Sequence, residues 1–354
     1  MKKKIFICLS LLLAAVLSIY VSIKKNTLYD QLAAERWTDD GDMAQISLFY
    51  PVRMTTELDS MFFTDLSHRI QNALDDSAYS EAAGKKDKSG ISFPYSVSVT
   101  GEAVLLSDSS EVSVKTYGVE GDFFTFHPVN LLTGAYLSPD DLMEDGIILD
   151  EDAAWKLFGS SDIAGQTVVL AGVPHIVKGV TRKEAGVVAK EAGLDGPMCY
   201  MSLDSLGKYG RIYGSYDYEM ILPNPVEGFA KKTVSEVLGK DLEELIICEN
   251  SRRFKVKELV EIIRTKKLRS MSTKGVVFPY YENIARSWED TFSVICLTVI
   301  IILTVNIALF AIFIFRLLRS QTFKEFKKRL KHNIKILISE LINRREFKKH
   351  YEEN

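Results

Sequence analysis

Two uncharged apolar runs, one near each end of a 354-residue chain, constrain its fold more than any other feature. Ile5 to Ile23 is 19 residues without a charge, a helix of about 28 Å at the α-helical rise. Phe292 to Phe315 is a second run of 24 uncharged residues rich in Ile, Leu, Val and Phe, long enough to cross a bilayer with some tilt. Each run predicts a transmembrane helix. Lys2, Lys3 and Lys4 also resemble the basic start of a cleavable signal peptide. The first run is longer than a usual signal core, however. Lys24 and Lys25 follow it directly and no small-x-small site closes it, so retention is the expectation. Cys8, inside this run, reads as a small apolar filler.

Charge sets the expected orientation. The tail from Arg316 to Asn354 carries 12 basic and 5 acidic side chains, and the other terminus has its three lysines. Lys and Arg stay on the cytoplasmic side, so both termini are expected inside. The segment from Asn26 to Thr291 carries 27 basic and 42 acidic side chains, a net charge of −15. It is expected outside, and its charge excludes a nucleic-acid binder. The expected organisation is therefore an N-terminal span (1–25), an exterior domain (26–291), a second span (292–315) and a basic cytoplasmic tail (316–354).

Within the exterior domain, Tyr29 to Trp37 has helix formers that would continue the first span until Asp39, Asp40 and Gly41 break it. Ala44 to Tyr50 reads as a strand. Leu58, Met61, Phe62, Leu66, Ile70 and Leu74 follow at the spacing of one helix face. After a polar loop from Ser80 to Gly90, Tyr95 to Leu106 and Glu111 to Val119 alternate as antiparallel, half-buried strands. Asp150 to Phe158 reads as a short helix closed by Gly159. Gln166 to Leu170 and His175 to Val180 pair through a turn at Ala171 to Pro174. A small strand at Tyr216 to Leu222 and helices near Glu227 to Leu238 and Lys255 to Leu268 complete the pattern. The fold class is α+β: an extracytoplasmic, two-lobed mixed α/β domain between two transmembrane helices, its second lobe at about residues 181–281, with a cytoplasmic amphipathic helical tail.

Catalytic and cofactor constellations are missing from the pattern. Gly239 and Lys240 precede Asp241 rather than Ser or Thr, so there is no phosphate-cradling loop. His68, His127, His175, His332 and His350 are scattered without metal-ligand spacing. Carboxylates cluster at Asp140, Asp141, Glu144 and Asp145 and again at Asp150, Glu151 and Asp152. On a net-negative surface these read as solvated loops and helix starts. Asp39, Asp40 and Asp42 lack calcium-loop spacing and read as a turn. No enzyme activity, cofactor or metal is expected. Cys199 and Cys248, the exterior cysteines, read equally well as a bridge or as two buried thiols.

Two basic amphipathic segments remain. Arg252 to Arg269 has eight basic residues against Glu258 and Glu261, with Val256, Leu259, Val260, Ile263 and Leu268 as its apolar side, and reads as a surface helix. In the tail, Phe323, Phe326, Leu330, Ile334, Leu337 and Leu341 step by three or four residues along a basic helix. That stripe calls for cover by membrane lipid or by a partner protein.

Several ordered stretches carry a family resemblance: Tyr117 to Phe124 (YGVEGDFF), Leu132 to Gly134, Gly146 to Asp150 (GIILD), Ala154 to Gly159 (AWKLFG), Asp162 to Gln166 (DIAGQ), His175 to Val180 (HIVKGV) and Tyr200 to Leu203. In this order they resemble the extracytoplasmic core domain of macrolide-exporter and lipoprotein-release type ABC permeases, the MacB-like periplasmic core domain. The glycines read as turns and caps and the apolar residues as core strands, so the motifs specify a fold and no reactive site. The resemblance implies a permease-like or accessory membrane subunit that pairs with another copy or a related subunit, works with a separate ABC ATPase, and couples it to the exterior domain. Such permeases usually have four spans, whereas this sequence shows two followed by the basic tail. A two-span sensor or adaptor outside transport explains the architecture as well, but 39 tail residues are too few for an output domain. A membrane-tethered enzyme is the weakest alternative.

Overall fold

A computed structural model of the chain describes residues 2–38, 42–56, 58–77, 90–138, 141, 144–184, 186–265, 272–273, 275–319 and 325–339. In chain order its elements are α1 (Lys2–Lys25), α2 (Ala33–Trp37), β1 (Met43–Phe49), α3 (Ser60–Asp75), β2 (Tyr95–Leu106), β3 (Glu111–Gly121), α4 (Phe123–Phe126), β4 (Leu131–Gly134), β5 (Gly146–Asp150), α5 (Glu151–Phe158), β6 (Thr167–Leu170) and β7 (Val173–Thr181). These are followed by α6 (Val187–Glu191), β8 (Met198–Ser202), α7 (Leu203–Tyr209), β9 (Arg211–Pro223), α8 (Phe229–Leu238), β10 (Ile246–Glu249), α9 (Val256–Thr265), β11 (Ser272–Thr273), β12 (Val276–Val277) and α10 (Tyr280–Arg319). A last helix, α11, covers 325–339. The chain divides into two compact units, Tyr20–Cys296 and a second made of Met1–Ile19 with Leu297–Asn354.

The larger unit is α+β and is built on one sheet with strand order β10-β1-β9-β2-β3-β8-β5-β7-β4, β6 bridging β2 and β7. The β3/β8 and β5/β7 pairs are parallel and the other pairs in this sheet antiparallel. Residues 181–281 contribute β8, β9 and β10 to this sheet, with β9 set between β1 and β2.

The period-2 geometry of strands sends alternate side chains to opposite faces, and here the two faces differ in chemistry. Ala44, Ile46, Leu48, Val97, Val99, Tyr216, Tyr218, Met220 and Leu222 share the main apolar core with Phe63, Leu66, Ile70 and Leu74 of α3 and Ala230, Val234 and Leu238 of α8. Their neighbours Gln45, Ser47, Ser96, Ser98, Asp217 and Glu219 are polar and also buried. A second apolar cluster joins Tyr117, Val119, Phe123, Ile148 and Tyr200 to Tyr280 and Tyr281 at the start of α10.

Local signals behave as their chemistry requires. Asp59 caps α3, accepting from the Phe62 N–H at 2.8 Å, and Asp150 caps α5 through the Ala153 N–H at 2.8 Å. Gly159 ends α5 in the left-handed conformation, φ 68°. The β6–β7 hairpin turns on Ala171 and Gly172 alone, with φ of 49° and 85°. Both are positive, as the twist of a two-residue hairpin demands, and Val173 and Pro174 already belong to β7.

Two expectations are corrected. The first span does not run on as helix through Trp37. α1 stops at Lys25, where the Thr27 hydroxyl donates to the Lys24 carbonyl at 2.8 Å, and a 3₁₀ turn at Tyr29–Gln31 precedes α2. The turn carries Asp30 and Gln31 into buried polar contacts that a straight helix would not reach. On α3 the inward residue is Phe63, fully buried against Tyr50, Tyr216 and Tyr218, while Met61 is 79% exposed. The loop expected at 80–90 lies outside the described residues except for Gly90.

Among the described residues two helices are long and apolar enough to cross a membrane, Ile5–Lys25 of α1 and Tyr280–Arg319 of α10, and the smaller unit holds the first part of α1 and the last part of α10. Within that unit the Asn306 amide donates to the Ser10 hydroxyl at 3.0 Å and to the Ile302 carbonyl at 2.8 Å. A polar tie between helices of this kind holds spans together where apolar surface gives no discrimination. For the core of the larger unit, Phe63→Ala should lower the stability of the full chain in detergent by about 3–5 kcal/mol. Met61→Ala should change it by no more than about 0.5 kcal/mol. Urea unfolding followed by tyrosine and tryptophan fluorescence separates the two.

Candidate functional site

The buried polar face of the sheet is where the chain concentrates its charge. Glu219 on β9 is 2% exposed. One of its carboxylate oxygens accepts from the Gln45 amide at 3.0 Å and from the Ser47 hydroxyl at 2.7 Å, both on β1. The other contacts Nε2 of His127, which follows α4 and is fully buried. Nδ1 of His127 faces Asp30 at 2.9 Å. Asp30 also accepts, through its backbone carbonyl, from Gln45 at 3.0 Å. The imidazole stacks on Tyr281 of α10 with ring centroids 3.6 Å apart. The Tyr281 hydroxyl donates to Asp217 at 2.6 Å and lies 2.8 Å from Ser98.

Burial alone would strip the proton from His127, but the Glu219 charge and the hydrogen bonds from Asp30 and Glu219 overcome it and raise its pKa to about 10. Imidazolium is therefore the resting form. Burial and the neighbouring Glu219 charge push Asp217 the other way for a carboxyl, well above its usual range.

A second buried ionic group adjoins the base of the sheet. Arg253, after β10, grips Glu282 of α10 with both guanidinium nitrogens at 2.8 Å, the bidentate fork arginine favours. Its Nε donates to Glu289 at 2.6 Å, and one terminal nitrogen also meets Gln31. Arg286, lying 3.5 Å over the Phe278 ring, donates to Glu282 at 2.7 Å. Burial opposes ionisation of Glu282, yet Arg253 and Arg286 hold it down to about 2. Around this group Leu28, Leu259, Ile262 and Phe292 form an apolar cluster with Val21, Trp288 and Cys296, and Lys24 sits over Trp288 at 4.9 Å.

The two groups share an arrangement. Asp30 and Gln31 belong to the turn just after α1, and Tyr281, Glu282 and Glu289 to the stretch of α10 ahead of its apolar run. Gln45, Asp217, Glu219 and Arg253 belong to the sheet and its edge. The segments that leave both apolar helices are thus pinned to the sheet by buried charge. Such an arrangement can transmit displacement. Arg253 and Glu289 also border a cavity of about 310 Å³, whose other charged lining residues include Glu249, Arg252, Glu258 and Glu261.

The residues singled out by sequence fall elsewhere. Asp150 serves as the α5 cap, with burial raising it to about 6, and Asp152 pairs with Lys183. Asp141 pairs with Lys178 at 3.4 Å, and Asp140 lies outside the described residues, as do Asp39 and Asp40. No three metal-ligating side chains gather among the described residues. His175 sits near the Val173 carbonyl and edge-on to Tyr209; His350 is outside the described residues. Cys199 and Cys248 are free thiols. They stand on β8 and β10, five strands apart in the sheet, or about 24 Å at the usual strand spacing, far beyond disulfide reach. On α9 the buried pair is Leu259 and Ile262 rather than Ile263. Of the tail stripe, Phe326, Leu330, Ile334 and Leu337 lie exposed on α11, while Phe323 and Leu341 are outside the described residues. Sequence reasoning missed the ionic groups. Their one visible signal is polar residues at alternate positions of β1, β2 and β9, which reads equally as a solvated strand face.

The two groups predict a paired pH signature. The raised pKa of His127 adds stability that is complete below about pH 6.5 and is lost as pH rises towards about 10. The lowered pKa of Glu282 adds stability that is complete above about pH 4.5 and is lost as pH falls towards about 2. In urea titrations of the full chain, His127→Gln should flatten the alkaline limb relative to the parent, and Glu282→Gln the acid limb. Glu282→Gln should also cost about 3–5 kcal/mol near neutrality, because Arg253 and Arg286 lose their shared carboxylate and Glu289 alone remains to balance Arg253.

The profile of one family, described as the MacB-like periplasmic core domain, matches residues 12–227. The periplasmic region of MacB from Actinobacillus actinomycetemcomitans is similar at 16% identity, covering 64% of this chain and 94% of that one, with a TM-score of 0.41. The extracellular domain of the noncanonic ABC-type transporter YknZ from Gram-positive bacteria is similar at 15% identity, covering 56% and 95%, with a TM-score of 0.36. No curated protein matches the chain.

Proposed function

Because the chain belongs to the family of the MacB-like periplasmic core domain, whose members are components of ABC transporter permeases, we propose that it is a permease-like or accessory membrane subunit of an ABC transport system. In this reading a separate ATPase drives the membrane helices from the cytoplasm, and the exterior domain meets substrate or envelope partners. Both termini are cytoplasmic, residues 26–291 lie outside, and the chain works beside a second copy or a related permease subunit. The charge asymmetry of the sequence supports the orientation.

The observation that carries the coupling role is the pair of buried ionic groups. Arg253 binds Gln31, Glu282 and Glu289 together, and His127 binds Asp30 to Glu219. A shift of either juxtamembrane segment must move the sheet with it or break buried ion pairs, at about 3–5 kcal/mol for each pair broken. Displacement is thus favoured over local rupture. The chain's own part in the mechanism is mechanical, and ATP hydrolysis belongs to the partner subunit.

Two measurements test this reading. Purified in mild detergent, the full chain should bring down an ATP-binding subunit; its absence under conditions that preserve ABC complexes overturns the transport role. For orientation, a membrane-impermeant maleimide should label Met61→Cys in intact cells. Ser339→Cys on α11 should label only after permeabilisation.

A further inference from the structure

The tail helix carries a feature that the transport reading leaves unused. At 100° per residue, Phe326, Leu330, Ile334 and Leu337 of α11 fall within an arc of about 80°, and all four are exposed. Ile336 and Ile338, also exposed, broaden the apolar side towards the helix end. Lys327 and Arg329 flank the arc, and Lys328, Lys331 and Lys335 occupy the opposite side. Glu325, the acidic residue of α11, stands at its first position, where the helix dipole favours it.

We propose that α11 lies flat on the cytoplasmic membrane surface, its apolar arc in the acyl boundary and its lysines against anionic lipid headgroups. Three observations favour lipid over a protein groove. The first is tether length. Five residues, 320–324, separate α11 from α10, so its first turn stays within about 20 Å of Arg319, at the level of the headgroups. The second is charge. Arg316 and Arg319 already end the span at this surface, and the basic side chains of α11 surround its apolar arc rather than forming one edge. That distribution suits a planar array of negative headgroups, which attracts each lysine near it. The third is the pattern itself, an apolar side on a strongly basic helix, the composition of interfacial helices. This inference rests on the orientation proposed above and not on the transport role; the maleimide labelling tests that orientation separately.

The experiment uses the full chain in bilayer nanodiscs, with Cys8, Cys248 and Cys296 replaced by Ala and Cys199 left in place, since it is fully buried. Nitroxide labels are placed singly at Leu330→Cys, Ile334→Cys, Lys328→Cys and Lys335→Cys. In nanodiscs of phosphatidylcholine with phosphatidylglycerol, labels at 330 and 334 should be relaxed by oxygen and shielded from a water-soluble nickel chelate. Labels at 328 and 335 should show the reverse. Phosphatidylcholine alone, or Lys327→Gln with Lys331→Gln, should lower the docked-to-undocked ratio by about tenfold or more. Stripe labels open to the chelate in the anionic discs overturn the proposal. So does shielding that ignores lipid charge, and so does shielding that arises only when a partner protein is added.

Discussion

Neutralising buried carboxylates is the constraint on which the larger unit depends. Glu219 and Glu282 are both 2% exposed, and a buried carboxylate left alone is costly enough to protonate or to unfold the site. Each is therefore surrounded: Glu219 by His127, Gln45 and Ser47, Glu282 by Arg253 and Arg286. Their partners come from distant parts of the chain, so satisfying the two acids forces those parts to meet. The turn after α1, strands β1 and β9, the segment after β10 and the start of α10 are held together by this requirement.

That arrangement gives the sheet two unlike faces. One is an ordinary apolar core under α3 and α8, which supplies most of the burial that folds the domain. The other is polar, and it is covered by Tyr281 and by the residues around His127 instead of by water. A polar face sealed in this way specifies one arrangement of the covering segments, since sliding them by a residue would strand charges on both sides. An apolar face would tolerate such slippage.

Much of the architecture was legible from the residues. The two apolar runs, the α3 and α5 helices, the β2–β3 pair and the β6–β7 hairpin follow from hydrophobic period, capping residues and turn chemistry, all local signals. The errors are of one kind. Met61 sits at helical spacing yet points outward, because the aromatic cluster of Tyr50, Tyr216 and Tyr218 selects Phe63. Ile262, not Ile263, is buried on α9 for the same reason, a choice made by the facing surface. The helix expected from Tyr29 to Trp37 breaks because Asp30 and Gln31 have partners more than ninety residues away in sequence.

By itself, the sequence determined that this chain has two membrane-length helices, an acidic mixed α/β domain between them and a basic amphipathic tail, because length, charge and period are properties of neighbouring residues. Its family was legible in the same way, from ordered strand and turn motifs. Only the tertiary structure decided that the alternating polar residues Gln45, Ser47, Ser98, Asp217 and Glu219 face a sealed joint and not solvent. A period-2 pattern states which face a residue is on. What covers that face depends on segments remote in sequence, brought there by the long-range pairing of charges.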